Sequence, residues 1–92
     1  MTKNDILEVL DMCKDSLNEF DEMILLYTMH ADPKLRAKTC VRIDRFIGLA
    51  TERFELTTEL INGVTKGDGA ISLMNEYNRQ FNALITLWKR TK

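Results

Sequence analysis

The sequence predicts an all-α fold, an up-down-up bundle of three long helices, and three observations carry that prediction. Along the 92-residue chain, apolar residues recur at alternating steps of four and three over three separate stretches. Such spacing holds one narrow stripe of an α-helix toward a neighbour, as in left-handed, coiled-coil-like packing. Only two turn-rich segments interrupt the pattern, Ala31-Asp32-Pro33 and Thr65-Lys66-Gly67-Asp68-Gly69. Links this short fold successive helices back as antiparallel neighbours, which favours a bundle over an extended coil.

The first helix is expected over about 5–29. Its seam is Ile6, Leu10, Cys13, Leu17, Phe20, Ile24 and Tyr27. Asn4 is the expected N-cap, and Asp5 and Glu8 place anions in the first turns, where the helix dipole favours them. No glycine or proline intervenes before Pro33.

The second helix is expected over about 33–62. Asp32 caps it and Pro33 takes its first turn, the helical position that tolerates proline. Its seam runs Cys40, Ile43, Ile47, Ala50, Phe54, Thr57, Ile61 and Val64, and a second apolar row (Val41, Phe46, Leu49, Leu56, Leu60) lies beside it. That double row predicts a central helix touching both others. Gly48, about 1 kcal/mol less favourable in a helix than alanine, is expected to mark a close crossing or a bend, and Gly63 a left-handed stop.

The third helix is expected over about 70–90, with Met74, Tyr77, Phe81, Leu84 and Trp88 on its seam. Being shorter, it should end near the level of Asp44 and Arg45, with the first hairpin's tip standing proud. On that tip lies the apolar run Met23-Ile24-Leu25-Leu26-Tyr27, joined by Met29, Leu35 and Val41. Met23, Leu26, Tyr27 and Leu35 are therefore the expected protein-interaction surface, used by a homodimer or higher oligomer that completes a larger bundle. The segment 69–90, with Ile71, Met74, Asn78, Phe81, Ile85 and Trp88, is similar in spacing to the last helix of GAT domains, three-helix adaptor modules that bind ubiquitin and small GTPases. It covers under a third of the chain at generic heptad positions, and no family is assigned from it.

Composition bounds the function. An apolar content of 45% is that of a folded domain, and the net charge of −1 excludes polybasic and polyacidic classes. No apolar run approaches the roughly 20 residues needed to cross a bilayer, so a single cytoplasmic domain, complete from Met1, is expected. Cys13 and Cys40 should sit too far apart along the hairpin for a disulfide, Cys13 beside Ala50.

Charge is uneven along the chain. In residues 1–32 eight carboxylates against two lysines give −6, whereas in 33–53 six bases against two acids give +4. Mutual neutralisation across the hairpin is the simple account. The alternative is a small-anion site, for instance for a nucleotide, where Arg42 and Arg45 meet Lys89 and Arg90. Nucleic acid is not an expected partner at this net charge. Glu8, Asp11, Asp15, Glu19 and Glu22 share a helix face without any histidine at ligand spacing, so no metal is expected. Gly67-Asp68-Gly69 lacks the spacing of a phosphate loop, and no cofactor is expected. His30, the only histidine, has no nucleophile or second base beside it in the sequence, and no catalytic residues can be assembled. The expected function is non-enzymatic, with the chain binding another protein as regulator, inhibitor, immunity factor or assembly adaptor.

Overall fold

The computed structural model describes residues 3–64 and 69–92, so the turn expected at 65–68 lies outside the described residues. Three helices account for nearly all of the rest: α1 (Lys3–Met29), α2 (Pro33–Val64) and α3 (Gly69–Thr91). They pack as an up-down-up three-helix bundle in which every pair of helices is in contact. The rod measures 48 × 20 × 17 Å between Cα extremes.

The hairpin between α1 and α2 closes as its residues dictate. The amide of His30 bonds the carbonyl of Leu26 (3.1 Å) to finish α1, the Asp32 carboxylate accepts the amide of Lys34 (2.9 Å), and the Asp32 carbonyl accepts that of Arg36 (3.0 Å). Asp32 is thus the N-cap of α2, satisfying amides that have no partner in the first helical turn. At the start of the chain α1 already includes Asn4, which is helical and not a cap.

All three seams point inward except at the end of α2, where Val64 is exposed. Leu10, Cys13, Leu17, Phe20 and Ile24 of α1 meet Ile43, Ala50, Phe54 and Ile61 of α2 and Met74, Tyr77, Phe81 and Trp88 of α3 in one core. Phe81 anchors its middle, 4.6 Å from the Phe54 ring and 5.7 Å from that of Phe20, with Phe46 on the far side of Phe20 at 5.6 Å. Phe20–Phe81 and Tyr27–Trp88 share the same offset one heptad apart, so α1 and α3 run parallel in a constant register. Buried hydroxyls are satisfied within their own helices: Ser16 donates to the Met12 carbonyl, Thr39 to Leu35 and Thr57 to Arg53.

Several expectations change. Only Phe46 of the second apolar row on α2 is half-buried; Val41, Leu49, Leu56 and Leu60 are exposed. A hairpin of two helices plus one neighbour covers only part of a helix's circumference, so the row beside the seam is left outward. Gly48 has open space where a Cβ would stand, so no helix crosses closely there. Gly63 is not left-handed and α2 continues through it to Val64. Cys13 is level with Thr57, not Ala50. Cys40, 17 positions up α2 from Thr57, is then about 25 Å away along the rod, and both thiols are free.

Candidate functional site

Heptad positions sort the surface into three grooves. With the seams as a and d, the g and c positions of α1 and α2 face a shared groove opposite α3. Arg53 of α2 donates to the Ser16 hydroxyl of α1 across it (3.1 Å), both residues being at g. A shallow cavity in the same groove is lined by Glu19 and Met23 from α1 and Arg42, Arg45, Phe46 and Leu49 from α2. Beyond the touching g residues, the c positions flank the groove on both sides: Met12, Glu19 and Leu26 on α1, and Leu35, Arg42, Leu49 and Leu56 on α2. With Leu60 at g, six large apolar side chains (Met12, Leu26, Leu35, Leu49, Leu56, Leu60) remain 37–68% exposed along this one face.

The other two grooves mix polar and apolar residues, and Leu7, Leu25, Leu73 and Leu87 are exposed along the one between α1 and α3. Between α1 and α3 a cavity is lined by Asn18, Asp21 and Gln80 beside Leu17, Ala83 and Leu84. Between α2 and α3, Thr51, Glu55, Asn78 and Asn82 line the corresponding hollow, and Asn78 donates to the Thr58 hydroxyl (2.9 Å).

At the hairpin tip, α3 ends where its length predicts. The Trp88 indole N–H donates to the Asp44 carboxylate (3.0 Å), and Lys92 Nζ pairs with the same oxygen (3.2 Å). These donors, the indole first, hold the Asp44 carboxyl below its ordinary value against the opposing effect of burial. The Trp88 ring also reaches Tyr27 edge-on at 4.8 Å, and the Arg36 guanidinium lies over the opposite partner, the Tyr27 ring, at 4.8 Å from its centroid. The expected interaction set divides accordingly. Leu26 and Leu35 are exposed, Tyr27 is half-buried against Trp88, and Met23 is buried at g in the α1/α2 groove. Met23 and Tyr27 thus belong to the bundle's own packing and not to a free tip.

Nor does the anion patch assemble. Arg42 and Arg45 line the α1/α2 groove with a carboxylate, Glu19, among them. Lys89 and Arg90 occupy b and c positions of α3, on its α2 and α1 sides respectively, and neither lines the cavity that holds Arg42 and Arg45. The neutralisation expected across the hairpin is not made through contact pairs either. Arg79 pairs with Glu76 and Lys92 with Asp44, whereas Glu19, Glu22, Arg42 and Arg45 have no ion-pair partner among the described residues.

Two further titratable groups are shifted mainly by burial. Burial pushes the Cys13 thiol up, against the smaller opposing influences of Thr57 and Arg53, and burial likewise raises Tyr77, with Asp11 and Cys13 adding to it. Among the described residues, no group of three His, Cys, Asp or Glu side chains could hold a metal ion, and no helix is long and apolar enough to cross a membrane. Sequence reasoning found the second row on α2 and singled out Leu26 and Leu35, but it missed Met12 and did not join these residues into one face, although all of them fall at heptad-compatible spacings. Comparison with protein-family models, curated proteins and solved structures finds no match for this chain.

Proposed function

We propose that this protein is a non-enzymatic binding module that engages another protein chain through the g/c face of α1 and α2. The observation that carries this reading is the second heptad row: a helix face already patterned for packing, with six large apolar side chains exposed, and with Glu19 and Arg42 in it and Glu22 and Arg45 flanking it, all without ion-pair partners among the described residues. Apolar surface of that kind, interspersed with charge, is what an amphipathic helix or a helix pair covers. Regulation, inhibition, immunity or assembly are the roles such a module serves. The small-anion alternative gains no support, since its four bases are not gathered and a carboxylate sits among two of them.

A photo-crosslinking amino acid placed at Leu49 and, as control, at exposed Arg79 on α3 tests the reading in the protein's own cells. Adducts at position 49 that are absent from position 79 are expected. No adduct at 49, or the same adducts at both, refutes it.

A further inference from the structure

We infer that the occupant of the α1/α2 face is the same face of a second copy, the two joined about a two-fold axis parallel to the rod into a four-helix core of α1 and α2 from each chain. This rests on the reading that the face binds protein, and goes beyond it by naming the partner and the geometry.

Charge decides the geometry. The contact of Arg53 with Ser16 sets Glu19 of α1 level with Leu49 of α2, and Glu22, one turn along α1, close to the level of Arg45, with Arg42 one turn further along α2. Two copies can lay these faces together in two symmetric ways. An axis perpendicular to the rod stacks α1 on α1 and α2 on α2, setting the acidic stripe against itself and the arginines against arginines. An axis parallel to the rod stacks α1 of each chain on α2 of the other without changing levels. Glu22 of one copy then lies level with Arg45 of the other, with Glu19 and Arg42 each about a turn from that pair, twice over. Opposite charges at neighbouring levels that have no ion-pair partners among the described residues are thereby brought together, and like charges are kept apart.

Apolar packing agrees. The contact of Arg53 with Ser16 sets the level of the c positions, so that Met12 of one chain faces Leu56 of the other, beside Leu60. Every neighbouring pair in the resulting ring of four is antiparallel, the arrangement of an up-down four-helix bundle. Each α3 stays on the outside, where its seam is already buried. A face 48 Å long and about 20 Å wide is also of the size needed, since specific interfaces bury roughly 800 Å² per partner.

The test is sedimentation equilibrium of the purified full chain with circular dichroism as the folding control. Wild type is expected to be a dimer at micromolar concentration, and Leu49→Glu with Leu56→Glu a helical monomer. Glu19→Arg with Glu22→Arg should be monomeric alone, as should Arg42→Glu with Arg45→Glu. An equimolar mixture of these two variants should form a heterodimer, and the chain carrying all four swaps should dimerise again, because only the parallel axis pairs α1 with α2. A dimer that survives the leucine substitutions, or a four-swap chain that stays monomeric while both pairs of variants complement each other, overturns the geometry. A wild type that is monomeric at every concentration overturns self-association. If position 49 still crosslinks a different protein in cells, the binding face stands and only its occupant is wrong; if it crosslinks nothing, both readings fall.

Discussion

Asp44 is the acceptor on which the end of α3 hangs, and removing it isolates the consequence. In Asp44→Ala the Trp88 indole N–H loses its partner while the residue itself is only 1% exposed. A buried donor left unsatisfied costs about 1–3 kcal/mol. The pair with Lys92 adds little, because the two side chains are 48% and 41% exposed and pairs of that kind contribute about 0–1 kcal/mol. We therefore expect a loss of about 2 kcal/mol, which for a domain of this size lowers the melting temperature by roughly 8–16 °C. Asp44→Asn keeps an oxygen for the indole and gives up only the charge, so its loss should stay near 1 kcal/mol or below. Trp88 is the only tryptophan, so its emission reports the same event directly. A red shift in the alanine variant before global unfolding is expected, and little change in the asparagine one. The pH dependence follows in sign. The folded-state value of Asp44 lies below that of the unfolded chain, about 3.9, so its charge contributes stability above that pH and loses it as pH falls through the lowered folded value. The gap between wild type and Asp44→Asn should consequently narrow in acid. An alanine variant that melts with wild type and leaves the emission unchanged would show that the indole contact does not hold α3.

Three further outcomes are expected. Ile43→Ala, at a position with no exposure, should cost about 2–5 kcal/mol in chemical denaturation. Leu49→Ala on the open face should change the monomer's stability by no more than about 0.5 kcal/mol; equal losses would contradict the assignment of core and face. Gly48→Ala meets open space in a helix interior and should raise stability by about 0.5–1 kcal/mol, read from the same denaturation curves. Thiol titration of the native protein should label Cys40 readily and Cys13 only on unfolding, with no intrachain disulfide after mild oxidation; fast labelling of both would contradict the burial of Cys13.

Period is a property of a single helix, and this is why so much of the fold was legible. Leu10, Phe20, Ile43, Phe54, Phe81 and Trp88 were all placed inward by spacing alone, and helix lengths placed the end of α3 at Asp44. What spacing leaves open is the azimuth of one helix about another. The row Leu49, Leu56 and Leu60 is apolar whether or not a neighbour covers it, so its exposure became visible only once α3 was seen to occupy the opposite side. Met23 was misassigned for the same reason: as part of a continuous apolar run it has no evident direction, whereas its g position buries it beside Phe46. The level of Cys13 failed for a different cause, because counting from the turn assumes a hairpin whose pairing register is set at Ala31 and Asp32 alone. The Asp44 cluster is beyond any local signal, since Trp88 and Lys92 are more than forty positions away in the chain.

The proportions of the rod give the assembly a signature in solution scattering. A particle 48 Å long and 20 Å across tumbles anisotropically, and pairing two such particles changes its outline differently in each direction. Joined at their hairpin tips, two copies would approach twice the length at unchanged girth, giving a long plateau of cross-sectional scattering. Joined flank to flank about an axis along the rod, they keep the length of one chain and roughly double one transverse dimension, so the longest interatomic vector barely grows as the mass doubles. The maximum dimension measured by small-angle X-ray scattering thus separates an end-on from a side-by-side pair without any label, crystal or substitution.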